Sequence, residues 1–177
     1  MAYNEAGETA MRVFLSHLHD ATSGELAFAV KDALKGVGVE SVSWETFGAA
    51  EPWQSQIEKE LDRCDAVVLL IEAGQRKQSR QMAEWTYIIN AGWKRPELRL
   101  LPVLLDGAVA PRPFAKLQPI EGASSAPHAT AARVLESIGR FEMLKSASEL
   151  TKRTPQDRRE WLERRALITQ RIAALPD

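Results

Sequence analysis

The chain has 177 residues, 23 basic and 24 acidic side chains and a net charge of −1. That length suits one domain, or one domain plus an appendage, and the even charge balance argues against a dedicated nucleic-acid binder, which carries a basic surplus. At 45% apolar and 27% charged residues the chain is too apolar for disorder, and no apolar run approaches the roughly 20 residues that span a bilayer.

Met1–Ala10 is polar and acidic, unlike a signal peptide. Met11–Ser16 (MRVFLS) then reads as a buried strand. His17–Ser23 is a polar loop. Ser23 caps a helix over Gly24–Lys35, with Leu26, Phe28, Val30, Ala33 and Leu34 as its apolar positions, and Gly36 and Gly38 stop it. Val39–Trp44 is a second short strand and Glu45–Pro52 (ETFGAAEP) a loop. Trp53 opens an amphipathic helix in which Trp53, Ile57, Leu61 and Cys64 recur at helical spacing.

Ala66–Ile71 (AVVLLI) is a continuous apolar run, the pattern of a central parallel strand covered on both faces. After the polar loop Glu72–Gln78, Ser79–Gly92 fits a helix ended by Gly92. Leu98–Leu105 is a fourth strand, in which Pro102 hints at an edge position or an interruption. Asp106–Pro119 is mostly loop, a short fifth strand falls near Pro119–Ile120, and His128–Leu144 is a helix. This alternation implies βαβ units, hence a parallel sheet with helices on both faces, over a domain of residues 11–144.

Residues 145–177 differ: they hold eight basic and five acidic side chains. Thr154 is placed to cap a helix, with Pro155 at its first position. Trp161, Arg165, Ile168, Ile172 and Leu175 recur at steps of four and three. This C-terminal helical extension either packs on the domain or docks a partner protein or a further domain.

Ligands of open parallel sheets bind outside the carboxyl ends of the strands. The loops there carry His17, His19, Asp20, Trp44, Phe47 and Trp53, which suit stacking on a planar base or nicotinamide ring. GxGxxG after the first strand, GxxxxGK[ST] and GxSxG are all missing, which removes the support for Rossmann, P-loop and hydrolase-elbow chemistry. No Cys/His cluster has zinc spacing, so no metal is expected. Cys64, the lone cysteine, lies at the wrong edge of the sheet for catalysis and fits a buried thiol in a reducing cytosol. Glu84 sits among Met82, Ala83, Trp85, Ile88 and Ile89. It is either a solvent-facing partner of Arg80 or an acid at a cleft.

MRVFLSHLHD resembles the first box of a Toll/interleukin-1 receptor (TIR) domain, of the bacterial type. SVSWETFGAAEPWQSQIEKELDRCDAVVLLIEAG resembles that family's second strand, BB loop, following helix and third strand, with Cys64-Asp65 before the apolar strand. QSRQMAEWTYIINAG resembles the helix bearing the family's catalytic glutamate, matched by Glu84. LRLLPVLLDG resembles the strand that commonly reads Ile-Pro-Val-Leu-Leu-Asp. The chain departs at three places: Arg80 stands where a Trp is common, Trp44 where the strand-end acid is common, and Gly48 comes earlier than the loop's usual Pro-Gly.

The resemblance, over about residues 11–142, implies a flavodoxin-like five-stranded parallel sheet of order 2-1-3-4-5, with Val13, Leu15, Val67, Leu69 and Val103 buried. It implies cleavage of the nicotinamide–ribose bond of NAD⁺ by Glu84, giving ADP-ribose or a cyclic product. Leu15, Ser16, His17, His19, Asp20, Trp44, Phe47, Trp53 and Arg80 are the implied substrate-binding residues. NAD⁺ is then a substrate, with no further cofactor. The implied setting is cytoplasmic anti-phage defence, with other TIR protomers as partners in an oligomer or filament and with neither nucleic acid nor membrane. The departures favour the alternative, a non-catalytic TIR interaction module. A third reading, a nucleoside-processing enzyme, needs a second positioned acid or Asn that the sequence does not place.

Overall fold

The structure, a computed structural model, describes residues 11–18, 21–72 and 79–149 together with Glu163, Ala166 and Gln170; the side chains of residues 21–23, 79–80 and 140–149 are not among those described. Strand β1 spans Arg12–Ser16, helix α1 Ala21–Lys35 and strand β2 Glu40–Val42, followed by a short 3-10 turn at Trp44–Thr46. Helix α2 covers Trp53–Arg63, strand β3 Ala66–Glu72, helix α3 Ser79–Lys94 and strand β4 Arg99–Leu105. A second 3-10 turn at Arg112–Phe114 leads to strand β5, Ile120–Gly122, and helix α4, Pro127–Glu149. The five strands form one sheet of order β2-β1-β3-β4-β5, and every pairing is parallel. That is the order and orientation implied by the resemblance. Val13, Leu15, Val67, Leu69 and Val103 are all fully buried.

β3 divides the molecule into two cores. Its side chains alternate by the two-residue period of a strand. Val68 and Leu70 join Val13, Leu15, Val103 and Leu105 under α1 and α4. Val67, Leu69 and Ile71 join Phe14 and Leu104 under α2 and α3, with Ile57, Leu61, Trp85 and Ile88. Deleting most of any such side chain costs about 2–5 kcal/mol, since neither layer has solvent to fill the gap.

Several local expectations are corrected. β2 ends at Val42 rather than Trp44, because the chain turns into the 3-10 segment there. α1 begins at Ala21, so Ser23 lies in its first turn rather than at its cap, and Phe28 points to solvent at 72% exposure. Gly92 does not end α3. The helix continues to Lys94 and stops ahead of Pro96, whose ring disfavours helix in the residue before it. Gly92 instead lets α3 approach β4: a Cβ there would meet Leu100 Cδ1 at 3.1 Å. Pro102 interrupts nothing. β4 is one place in from the edge, but pairing with β5 starts only at Val103, so Pro102 lies where that flank is locally an edge.

At the amino ends of the strands, the Asp65 carboxylate accepts the backbone N–H of Arg12 at 3.0 Å, and Arg12 pairs with Glu60 at 2.7 Å. The Cys64-Asp65 pair therefore serves the fold. α4 runs on past residue 144. The expectations for Trp161, Ile168 and Ile172 fall outside the described residues; Glu163, Ala166 and Gln170 are helical and exposed. Among the described residues no helix is long and apolar enough to cross a membrane.

Burial pushes the Cys64 thiol up to about 12, and it has no exposed surface. Native protein at pH 8 is expected to resist a maleimide, with labelling appearing only along the unfolding transition; rapid native labelling would show that the α2–β3 junction opens. A Cβ on Gly122 would lie 2.7 Å from Thr130 Cγ2 and 3.0 Å from Leu105 Cδ2. Thr130 cannot yield freely, because its hydroxyl both accepts from and donates to the backbone of Ala123. Gly122→Ala is expected to cost about 1–3 kcal/mol of stability, read as a lower denaturant midpoint.

Candidate functional site

The parity of β1 decides which of its residues face the candidate site. Leu15 packs under α1 and α4, whereas Phe14 packs under α2 and α3. Ser16, two residues beyond Phe14, therefore points to the α2/α3 side at the carboxyl end of the strand, in register with Leu69 of β3. Ser16 is 1% exposed, and its Oγ has no hydrogen-bond partner among the described residues.

Glu84 comes from the second turn of α3. This helix follows β3 and runs back antiparallel to it, so its first turns lie at the same carboxyl edge. Gln81, Glu84, Trp85, Ile88 and Ala91 are buried, the spacing of a single stripe facing the sheet. Glu84 is 5% exposed, which excludes the solvent-facing reading. At about 100° per residue, Glu84 lies between Trp85 on one side and Tyr87 on the other. Trp85 meets Phe114 edge-on at 5.6 Å, toward the end of β4; Tyr87 meets Trp53 edge-on at 5.7 Å, toward α2. Glu84 thus lies between those two contacts on the helix, on the α2/α3 side of the sheet to which Ser16 also belongs. Trp85 does not replace the tryptophan absent at position 80. It lies on a different flank of the helix and belongs to the core.

The loop Glu45–Pro52 follows β2 at this edge, and side chains hold it at three points. At its base, Lys31 of α1 donates to Ser43 Oγ at 3.0 Å and to the Glu45 carboxylate, and Ser43 donates to the same carboxylate at 3.2 Å. The other Glu45 oxygen faces His17 Nε2 at 3.8 Å. His17 is buried, its Nδ1 lies 2.7 Å from the Leu18 carbonyl, and its ring stands 6.2 Å from that of Trp44. The Lys31 hydrogen bond, aided by the charges of Lys31 and His17 and by Ser43, holds the Glu45 carboxyl below the ordinary carboxylate range, against partial burial. The stabilisation from this pairing is present above the ordinary carboxylate pKa and is lost as pH falls through the lowered one. In the middle, Phe47 packs on Phe14 at 6.3 Å. At the tip, Gln56 accepts from Gly48 N–H at 2.8 Å and donates to the carbonyls of Gly48 and Glu51, each at 2.7 Å.

The residues proposed from sequence thus separate by location. Ser16 and Glu84 share a face, and Phe47 and Trp53 attach the loop to the walls that carry them. His17 and Trp44 lie together at the loop's base, beside α1. The Leu15 side chain is committed to the opposite core and reaches the edge only by its backbone. His19 and Asp20 lie outside the described residues, as does the side chain of Arg80, although its backbone is in α3. Sequence reasoning passed over Lys31, Ser43, Glu45, Gln56 and Gln81. Only Gln81 carried a signal, standing three residues before Glu84 on one helical face. Among the described residues no group of three or more His, Cys, Asp or Glu side chains could hold a metal.

Comparison with known proteins places this arrangement. No curated protein matches the sequence significantly. Among solved structures, the TIR domains of the activated Roq1 resistosome recognising the pathogen effector XopQ align at a TM-score of 0.50 and 18% identity, over 93% of this chain and 85% of theirs. A metazoan TIR-STING receptor from C. gigas, in complex with 2′,3′-cGAMP, aligns at 0.53 and 20% identity, over 69% of this chain but only 38% of the receptor chain. A diflavin flavoprotein from Nostoc sp. aligns at 0.50 and 13% identity, over 78% of this chain and 98% of its own. These likenesses show the shared flavodoxin-like fold. The family model described as the TIR domain matches residues 13–135, more than half of the chain, and so the protein that positions Glu84 against the carboxyl edge of this sheet belongs to the TIR domain family.

Proposed function

We propose that this TIR domain is an NAD⁺ nucleosidase that breaks the nicotinamide–ribose bond through Glu84. The observation that carries the reading is the placement of one carboxylate, 5% exposed, on the sheet-facing stripe of α3 at the same edge as Ser16. The chemistry asks for little more. Nicotinamide in NAD⁺ is already cationic, so it leaves as a neutral molecule with the electron pair of the C1′–N bond and needs no general acid. The ribose passes through an oxocarbenium-like state whose positive charge a nearby carboxylate stabilises. In a site with almost no exposure that attraction is weakly screened. Water attack at C1′, with loss of a proton, gives ADP-ribose; attack by an adenine nitrogen gives the cyclic form. Ser16 is suited to a ribose hydroxyl, and Phe47 and Trp53 to a planar ring.

Assembly of several protomers, a cytoplasmic setting and a role in bacterial anti-phage defence complete the proposal. The neighbours support assembly, one belonging to an activated resistosome and the other to a receptor; the setting and the role in defence rest on the family resemblance. A second reading, a non-catalytic module that assembles signalling complexes, is favoured by the outer face of α3. There Met82 is 45% and Trp93 79% exposed, at positions a helix aligns along one side.

Purified protein, concentrated or crowded to promote assembly, is expected to consume NAD⁺. Glu84→Gln keeps shape and removes charge, and it should lower the rate about 10²–10³-fold with an unchanged unfolding midpoint. Full activity in Glu84→Gln would remove the assignment. An inert wild type under assembling conditions would favour the interaction module.

A further inference from the structure

We infer that Gln81 reads the carboxamide of the leaving group and so makes this site specific for nicotinamide dinucleotides over neutral analogues without the amide; the inference rests on the reading of Glu84 as the NAD⁺-cleaving carboxylate. Six polar or charged residues are buried among those described: Ser16, His17, Ser43, Gln81, Glu84 and Thr130. Three of them serve local structure. His17 Nδ1 lies against the Leu18 carbonyl, Ser43 accepts a hydrogen bond from Lys31, and Thr130 bonds the backbone of Ala123. The other three, Ser16, Gln81 and Glu84, belong to the α2/α3 side of the sheet at its carboxyl edge, one from β1 and two from the first turns of α3. Burying a glutamine costs the desolvation of an amide and the freedom of a long side chain, yet Gln81 is only 7% exposed.

The helix fixes where Gln81 stands relative to Glu84. Residues three apart on a helix are neighbours, with Cβ atoms about 5–6 Å apart. Helical side chains lean toward the N-terminus, so the Glu84 side chain leans over the turn that carries Gln81. That N-terminus lies at the ligand edge, which puts Gln81 about 4.5 Å further out along the axis than Glu84. A ribose whose C1′ is held at the carboxylate thus places its departing ring within one helical turn of the glutamine. The ring carries a carboxamide, with an acceptor oxygen and N–H donors. A glutamine amide offers the matching donors and acceptor, and two such amides pair through two hydrogen bonds; a carboxylate or an apolar side chain cannot make both. The ordinary task of a glutamine at the third position of a helix is to reach back to the N-cap N–H as half of a capping box. That box needs Ser or Thr before the helix, and position 78 is Gln. Gln81 lies instead in the sheet-facing stripe with Glu84, Trp85 and Ile88.

The test measures kcat/KM for NAD⁺ and for acetylpyridine adenine dinucleotide, under crowding, in wild type, Gln81→Asn and Gln81→Met. The analogue keeps the carbonyl and lacks the N–H donors, so it leaves the glutamine oxygen unpaired without adding a charge beside Glu84. Wild type should prefer NAD⁺ by about 10–100-fold, the scale of one buried hydrogen-bonding group left without its partner. Gln81→Met keeps length and helix propensity, so its unfolding midpoint should not fall, while the preference for NAD⁺ should drop about tenfold or more. Gln81→Asn retains the amide on a shorter arm and should fall between. A wild type that cleaves both dinucleotides equally well overturns the inference. So does a preference that survives in Gln81→Met, both substrates losing rate by the same factor, which would make the glutamine a packing or capping residue. In either case wild-type cleavage of NAD⁺ leaves the assignment of Glu84 standing, whereas a wild type inert on NAD⁺ under crowding overturns that assignment and the role of Gln81 with it.

Discussion

Each side chain of β3 from Ala66 to Ile71 is buried, and the arrangement of the molecule depends on that constraint. A strand covered on both faces has no neutral register: a slip of one residue would exchange the two cores. The parity of β3 is passed to β1 through the pairing of Phe14 with Val67 and Ser16 with Leu69. It fixes Leu15 toward α1 and α4 and Ser16 toward α2 and α3. The identity of a site residue on β1 is therefore decided by packing in the middle of the sheet, before any chemistry enters.

α3 shows the same dependence. Its buried stripe carries Trp85 and Ile88 into the core, and Gly92 brings the helix close to β4. Those contacts set the helix's rotation and its distance from the sheet. Glu84 shares the stripe and takes its direction from them. Apolar packing on either side of Glu84 sets the helix that carries the carboxylate. Such a support suits an electrostatic role, where orientation must exist before charge develops. It also leaves the group buried, so reactivity and access are set by different parts of the chain.

The parallel sheet and the two-layer burial were legible in the sequence, because AVVLLI and the strand–helix alternation leave few arrangements, and the strand order was legible through the family resemblance. The acid was legible only through the family resemblance; spacing alone left Glu84 between a solvent-facing pair and a cleft, and burial decided it. Positions governed by tertiary contact were misread. Gly92 has the composition of a helix stop, yet it is a point of close approach to Leu100. Phe28 is apolar and sits among core positions, yet it faces solvent. The loop's restraints were invisible for a physical reason: Gln56, Lys31 and Glu45 are ordinary surface residue types, and their meaning lies in partners as far as 14 residues away that no periodicity relates.

The loop's base shows how a departure from a family pattern is absorbed. An acid is common at the end of the second strand, and position 44 holds Trp. Within a regular strand, moving the acid one residue on would send it to the opposite face. Here the strand has already ended at Val42, and the Trp44–Thr46 turn follows a 3-10 path. The two-residue rule no longer applies, so Glu45 still turns inward to Lys31, Ser43 and His17 while Trp44 occupies the side of the His17 ring. One anionic group at the strand end is preserved with its position shifted by one. Its cationic partner, Lys31, is supplied by α1. The base of the loop is thereby coupled to the helix layer opposite the one that carries Glu84, and both layers of the sandwich hold this loop.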